Sequence, residues 1–394
     1  MTALPDEFVR PDHGKRCFDA IPALVEHLLA AGGPGKVALV LVDGLGWRLI
    51  QRHTDHPFLR RCARAGTVER WTAQFPSTTT AATATIHTGL PVAEHGLYEW
   101  FIYEPSLDRL ICPLMFSFAG DGERNTLFAL GPERAAALLP DLTTIYRRLD
   151  AGGVRCHAFQ SDRYTPGTVS DIAFAGAQVH PFEQPAAALA ELAGVLAGPA
   201  PLYCFAYIDE VDAVAHEHGP GSAQVAARVD ASLDALEALA QEAAGSGAEL
   251  LVTADHGLAE VDPTTTVYVN LAWPEIGGLL RTGADGRPLA PAGSARDLFL
   301  HVRPGREGEL VRGLRDLLGE RALVLPVRDL VADGLFGPRI GERLRARLAD
   351  VAVLARGSHT VWWYEEGRFG HHFRGHHGGL TADEMEIPLI RLPV

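Results

Sequence analysis

No two cysteines in this chain stand close enough to form a Cys-x-x-Cys pair. The five present (Cys17, Cys62, Cys112, Cys156, Cys204) are odd in number and widely spaced. That spacing argues against a disulfide framework and a thiolate zinc knuckle. The cysteines read as small core residues. Long apolar runs are missing too. The most apolar stretch, Val37 to Val42, is strand-sized, so no membrane span is expected. Met1 to Arg16 is polar, with Pro5 and Pro11, and has no basic head followed by an apolar run. We therefore expect no secretion signal and a cytoplasmic location. Positive charge is also short: 35 Lys and Arg stand against 49 Asp and Glu, a net charge of −14. This argues against binding long nucleic acid by its backbone. It leaves room for a small phosphorylated substrate held by metal ions. There is no internal repeat or low-complexity tract, and nothing in the sequence speaks to oligomeric state.

What is present is a large apolar reserve, 47% of 394 residues. That suits two domains, or one large α/β domain with an insertion. Lys36 to Val42 (KVALVLV) has the continuous apolar pattern of a strand covered on both faces. Further strands are expected at Val154 to Phe159, Leu202 to Ile208, Glu249 to Thr253 and Ile387 to Leu392. Helices are expected at Ile21 to Ala31, Leu142 to Asp150, Ala186 to Leu196 and Ser222 to Ala244. Such alternation implies βαβ units and a mainly parallel sheet flanked by helices. From about Asp262 to Val351 the texture changes. Strand-like Thr266 to Leu271 and Leu298 to Val302 and a helix at Gly308 to Leu318 are joined by Gly- and Pro-rich loops. We read residues 259–351 as an inserted α+β lid, and residues 1–258 with 352–394 as the core. Ala352 to Tyr364 is expected to return to strand, and residues 281–296 to form a mobile loop.

Within the core, Phe75-Pro-Ser-Thr-Thr-Thr80 leads into Ala81 to Ile86, a short helix stopped by Gly89 and Pro91. A hydroxyl at a helix start lies beside unpaired N–H groups that suit a phosphoryl oxygen. It reads as an ordinary Thr-rich cap or as a nucleophile, which would need a base or a metal to lose its proton.

Four other pieces favour the second reading. Three apolar strands end at acids: Asp43, Asp209 to Asp212, and Asp255, and open α/β sheets bind ligands at strand carboxyl ends. Asp212 and His216 are four apart, hence on one face of a helix. Asp255-His256-Gly257 follows a strand, and Gly375-His-His377-Gly-Gly holds further imidazoles. Singly, an Asp-His after a strand is more often a hydrogen-bonded turn. Together, carboxylates and imidazoles without thiolates suit Zn²⁺, with Mn²⁺ or Fe as alternatives. The donors suffice for two divalent ions, which in such sites lie ~3.5–4 Å apart.

These pieces, with Thr88-Gly-Leu-Pro-x-x-x-His95-Gly96, resemble the alkaline phosphatase superfamily, and within it the type I phosphodiesterase/nucleotide pyrophosphatase group. The resemblance spans residues 37–100, 200–258 and 370–392. It implies one metal held by Asp212, His216 and His377, and a second by Asp43, Asp255, His256 and the nucleophile oxygen, Thr79. It implies a phosphoesterase cleaving a phosphodiester or nucleotide pyrophosphate through phospho-threonine. Phosphomonoesterase, phosphonate hydrolase, phosphomutase and a non-catalytic phospholigand-binding protein are the alternatives. The chain departs from the group at Thr80-Ala-Ala-Thr83, where a phosphate-binding Asn is usual, and at Ala215, where Gly is common. Tyr98, Trp100, Phe101 and Tyr103 read as core packing or as a stacking wall for a leaving group. His359, His371 and His372 read as flanking residues, His376 as an alternative to His377, Arg374 as a solvated or phosphate-touching cation, and His87 and His95 as structural.

Overall fold

The computed structural model describes residues 4–394 apart from 31, 32, 34, 132, 135–137 and 139–142. The run KVALVLV forms the strand Lys36–Val42, buried along its length after Lys36. It lies inside a seven-stranded sheet ordered Thr67–Thr72, Glu386–Pro393, Glu249–Thr253, Lys36–Val42, Leu202–Ile208, Arg155–Ser161, Gln178–Phe182. Both of its neighbours run parallel to it. Val42 lies opposite Ile208, and Leu41 opposite Thr253. Parallel register brings three strand ends level, so Asp43, the segment from Asp209, and Asp255 arrive at one edge. The parallel series continues through Arg155–Ser161 to Gln178–Phe182. Glu386–Pro393 alone runs against both of its partners in this sheet. The mainly parallel, helix-flanked α/β fold expected from the sequence is the one observed.

The flanking helices include Ile21–Leu29, Thr79–Thr88, Pro185–Leu196 and Ala223–Glu242. Ser222 starts the last of these by accepting a hydrogen bond from the Val225 N–H. Thr144 does the same for Ile145–Ala151. That helix begins later than expected, and Leu142 lies outside the described residues. Ala31 does too; its helix ends at Leu29.

The second, four-stranded sheet is antiparallel: Ala292–Gly293, Asp297–Leu300, Val351–Ala355, Ala322–Pro326. It runs past residue 351, the expected edge of the insertion. Two expected strands are broken. Thr266 to Leu271 is strand only at Val267–Tyr268, then turns into the helix Val269–Ala272. There the Asn270 amide hydrogen-bonds both the N–H and the carbonyl of Tyr364. Ala352 to Tyr364 splits into Val351–Ala355 and Val361–Trp362, because Gly357 turns the chain at φ 49°. The stretch expected as a mobile loop is half-packed: Ala292–Gly293 pairs with Leu298 and Phe299, and Ser294, Arg296 and Asp297 are buried.

Arg296 ties this sheet to the core. Its Nε and Nη2 donate to Glu384 Oε1 and Oε2, each at 2.9 Å, and both side chains are 0% exposed. Glu384 Oε1 also accepts the Gly379 N–H at 3.0 Å, two residues from His377. Removing one partner of a buried pair strands the other charge. Arg296→Met is therefore expected to cost about 3–5 kcal/mol in urea unfolding. Glu384→Gln, which keeps an acceptor, is expected to cost less.

Candidate active site and metal centre

Each candidate ligand is carried to the sheet edge by a local feature. Asp43 follows its strand directly and donates its N–H to Ile208 O at 2.8 Å. Gly44 turns at φ 72°, and a Cβ there would lie 3.0 Å from Asp212 Cα and 2.8 Å from Leu258. Only glycine lets the helix Glu210–His218 come this close. Asp212 N in turn donates to Asp43 O at 3.1 Å. One helical turn on, His216 Nε2 lies 3.3 Å from Asp212 Oδ2, the shared face that the spacing predicts. Asp255 Oδ1 accepts the N–H groups of Gly44 and His256, at 3.2 and 3.0 Å. The loop after Gly375 lays His377 flat on His256, with ring centroids 3.6 Å apart. Gly375 itself sits where a Cβ would be 2.4 Å from Ala215 O, so buried Ala215 is accommodated by backbone contact with the His377 loop.

All three imidazoles are oriented the same way. Nδ1 faces a backbone carbonyl: His216 to Gly375 at 2.7 Å, His377 to Ser77 at 2.9 Å, His256 to Gly257 at 3.1 Å. This pattern assigns the proton to Nδ1 and leaves the Nε2 lone pair for the site. Nε2 of His256 is 3.3 Å from Asp255 Oδ2 and 3.4 Å from Asp43 Oδ1. Thr79 Oγ1 lies 3.1 Å from the same Nε2 and 3.5 Å from Asp43 Oδ2. Thr79 is the first residue of its helix. Thr78 occupies the N-cap position, but its side chain makes no capping bond, so the simple cap reading is not the one observed.

The structure thus brings together all seven expected residues. The donors group tightly as Asp43–Asp255–His256 and as Asp212–His256–His377. The expected division placed His216 with Asp212 and His377. Here His256 belongs to both groups, and His216 stands beside Asp212.

Electrostatics explain what such a site needs. Asp43 Oδ1, Asp212 Oδ1 and Asp255 Oδ2 are buried with no hydrogen-bond partner among the described residues. Burial, reinforced by Asp255 and Asp212, raises the Asp43 pKa well above the carboxylate range. Burial also raises Asp255, and lifts Asp212 to about 6. Burial pushes His256 down to about 3 and His377 well below 6.5. Bare carboxylate oxygens facing imidazole lone pairs are an unfavourable arrangement for the protein alone and a favourable one around divalent cations. The donor chemistry therefore fits the metals that the sequence implies.

A cavity of about 520 Å³ opens over Thr79. Trp100, Phe101, Trp362 and Phe369 line it, with His371 and His372, and Arg124 lines it from over the Tyr164 ring, 5.0 Å from its centroid. Tyr98 and Tyr103, by contrast, are buried core residues. His87 and His95 are buried and bonded to Tyr146 OH and Thr85 Oγ1, as expected of structural histidines. His376 is also buried, its Nδ1 2.9 Å from His377 O, outside both donor groups. Arg374 is exposed and does not line the cavity, and neither does His359.

Sequence reasoning missed three contributors. Tyr207 OH donates to Asp43 Oδ2. Its register opposite Leu41 puts it on the same strand face as Asp43, so period-two counting could have found it. Ser77 holds His377 by its carbonyl, and its Oγ bridges Gly379 O and Gly378 N. Ser294, from the small sheet, donates to His377 O at 3.3 Å, a contact no sequence pattern announces.

A family model for type I phosphodiesterase/nucleotide pyrophosphatase matches residues 37–380. The chain belongs to this family. It is thereby a member of the alkaline phosphatase superfamily, and the membership indicates a hydrolase acting on phosphoesters. No curated protein matches the chain. Solved structures of similar fold include an inactive variant of murine ectonucleotide pyrophosphatase/phosphodiesterase 5 in complex with AMP. It has 17% identity and a TM-score of 0.64, over 91% of this chain and 87% of that one. Phosphonoacetate hydrolase from Sinorhizobium meliloti, in complex with phosphonoacetate, has 18% identity and a TM-score of 0.64, over 90% and 89%. No helix among the described residues is long and apolar enough to cross a membrane.

As a family member with this donor set, the protein is expected to bind about two divalent ions per chain, measured by elemental analysis after chelator-free purification. Asp212→Ala and His377→Ala should lower the same ion. Cations compete with protons for Asp212, whose pKa is raised to about 6. Occupancy should therefore fall as pH drops through that value. In the metal-free protein the sign is opposite. A carboxyl with a raised folded pKa contributes stability at low pH that is lost as pH rises through about 6. Thermal melts at pH 5 and 7.5, with and without Zn²⁺, test both.

Proposed function

We propose that the protein is a phosphodiesterase dependent on two divalent cations, Zn²⁺ or Mn²⁺, which works through a phospho-threonine at Thr79. The observation that carries this reading is the position of Thr79 Oγ1. It lies 3.1 Å from His256 Nε2 and 3.5 Å from Asp43 Oδ2, under a cavity of drug-sized-ligand volume. A phosphoryl group alone would leave most of that space empty, which favours a diester over a monoester.

The residues divide the work. Bound by the two donor groups, divalent cations would supply Lewis acidity for the attacking and leaving oxygens. Held by Asp43, Asp255 and His256 beside Thr79 Oγ1, a cation would lower the pKa of the Thr79 hydroxyl, whose proton leaves to water. The uncapped first turn of Thr79–Thr88 presents N–H groups toward the phosphoryl oxygens. Thr79 Oγ1 forms a bond to phosphorus, and the bond to the leaving oxygen on the opposite side breaks. Water then attacks the phospho-threonine and frees Thr79. Trp100 and Phe101 offer an aromatic wall for the departing group. Phosphonate hydrolysis is the second reading, favoured by the likeness to phosphonoacetate hydrolase.

With Zn²⁺ or Mn²⁺, bis-p-nitrophenyl phosphate is expected to be cleaved faster than p-nitrophenyl phosphate. The reverse order would move the assignment to a monoesterase. Thr79→Ala should remove nearly all turnover while both ions stay bound, since the protein ligands remain. Thr79→Ser should keep measurable activity. Thr78→Ala and Thr80→Ala should keep most of it. Acid-quenched protein should carry phosphate on the Thr79 peptide. If all three threonine variants turn over at near wild-type rates, direct attack by water replaces the covalent step.

A further inference from the structure

Residues 4–16 form an arm that crosses the elements carrying the site and does not line the cavity. The Val9 N–H donates to Leu380 O at 2.7 Å, and Phe8 pairs with Thr381, in the stretch that follows His377. Arg10 pairs with Asp333 at 3.2 Å. The Asp12 N–H donates to Thr72 Oγ1 at 3.1 Å, on the edge strand. His13, next along, engages both ring nitrogens. Its Nδ1 is 2.6 Å from Asp19 Oδ2, and its Nε2 is 3.0 Å from Leu335 O. Leu335 leads into Phe336, whose buried ring lies 5.2 Å from that of Phe75. Phe75 opens the run that reaches Thr79 four residues later. A neutral imidazole carries one N–H and one lone pair. Both His13 nitrogens face acceptors, so the geometry assigns an imidazolium. A proton on Asp19 is the poorer choice, because Asp19 Oδ1 also accepts the Gly14 N–H at 3.0 Å and a carboxyl is the more acidic partner.

We propose that this arm is a proton-operated strap: the His13 imidazolium bolts it to Asp19 and to the Leu335 carbonyl, and loss of that proton loosens the Leu335–Phe336 segment on which Phe75 packs. With a neutral ring, Nδ1–H stays with the carboxylate. The Nε2 lone pair is then left 3.0 Å from the Leu335 carbonyl oxygen, a repulsive contact. Of the other ionisable groups nearby, Asp12 adds attraction, Arg10 and Asp333 satisfy each other, and burial keeps Cys17 a thiol. Burial opposes the charge on His13, but Asp19, the Leu335 carbonyl and Asp12 outweigh it and hold its pKa above the ordinary histidine value. A histidine whose pKa is raised on folding contributes stability that is complete below the unfolded value, about 6.5. That contribution is lost as pH rises through the folded value. The strap is thus closed in mild acid and opens on the alkaline side.

The test is NMR titration of the His13 ring in the Zn²⁺-loaded protein, its signal identified as the one lost in His13→Gln, with urea unfolding of both proteins at pH 6 and 9. The His13 midpoint is expected above about 6.5. Between the two pH values the folding equilibrium constant of the wild type should fall about tenfold more than that of His13→Gln for each pH unit by which the midpoint exceeds that value. Amide hydrogen exchange, corrected for its intrinsic pH dependence, reads the segment itself. The N–H groups of Leu335 and Gly337, bonded to Leu330 O and Gly334 O, should lose protection over this range in the wild type. In His13→Gln they should be weakly protected at both pH values. A midpoint at or below about 6.5 overturns the proposal, and so does an equal pH dependence in His13→Gln. A raised midpoint with unchanged protection of Leu335 and Gly337 leaves a plain ion pair and overturns the strap as well. Should His13→Gln fail to fold, Asp19→Asn takes its place. It keeps an acceptor but removes the charge, so the His13 midpoint should fall, and an unchanged midpoint overturns the proposal.

Discussion

Three carboxylates converge at one sheet edge with no Arg or Lys ion pair among the described residues to balance them. Much of this molecule depends on that constraint. Burying like charges together is costly, and proteins avoid it by protonation, pairing or metal coordination. Here protonation is favoured in the bare protein, as the raised pKa values of Asp43, Asp212 and Asp255 indicate. The imidazoles do not relieve the charge, because burial holds His256 and His377 neutral. Nδ1–H bonds to three backbone carbonyls fix those rings with lone pairs inward. An arrangement that is poor for the apo chain and preorganised for a cation is what a functional site looks like when local rules are broken together.

The four-stranded antiparallel sheet is part of this preorganisation. Ser294 Oγ donates to Asp297 Oδ1 at 2.7 Å and to His377 O. A Cβ on Gly378 would lie 2.6 Å from both Ser294 Oγ and Asp297 Oδ1, and 3.1 Å from Glu99 Oε1. The loop that carries His377 is thus pressed between the small sheet, the segment after Tyr98 and Glu384. Glu99 and Asp297 are buried beside each other, and burial raises both, Glu99 to about 8. Burial favours the protonated form of each acid, which relieves the repulsion between them. The placement of His377 and the packing of the four-stranded sheet are therefore mechanically linked.

The parallel strands and the chemical pieces at their ends were legible in the sequence because each is a local pattern. KVALVLV has only one comfortable environment, and an acid directly after such a strand is carried to the ligand-binding edge. Asp212 and His216 needed only helical spacing. The change of texture after about Asp262 was legible, but the strands within that stretch were not. Thr266 to Leu271 carries strand-like side chains, yet Asn270 reaches across to Tyr364 and a short helix wins. Ser294, Tyr207 and Arg296 escaped notice for a related reason. Each acts through a partner far away in the chain, 83, 164 and 88 residues respectively. For Ser294 and Arg296 a single sequence carries no trace of such pairings, whereas the strand period alone places Tyr207 on the Asp43 face. The Thr-rich run does sit at a helix start, but the helix begins at Thr79 instead of Ala81, and Thr78, extended at the N-cap, makes no side-chain capping bond.

His256 resolves the remaining difference between the expected and observed ligand groups. Without cations its Nε2 is within reach of Asp43, Asp255 and Thr79, while its ring stacks on His377. A single lone pair cannot serve two ions. Once it is committed to the side of Asp43 and Asp255, the other group is left with Asp212 and His377. His216 Nε2, already 3.3 Å from Asp212 Oδ2, is the imidazole nitrogen placed to complete that group. With cations bound, we propose, the donors would divide as the family resemblance implies. It also makes the two sites interdependent, since the stacked rings of His256 and His377 cannot shift separately. A cation held by Asp43, Asp255 and His256 would fix the ring on which His377 stacks.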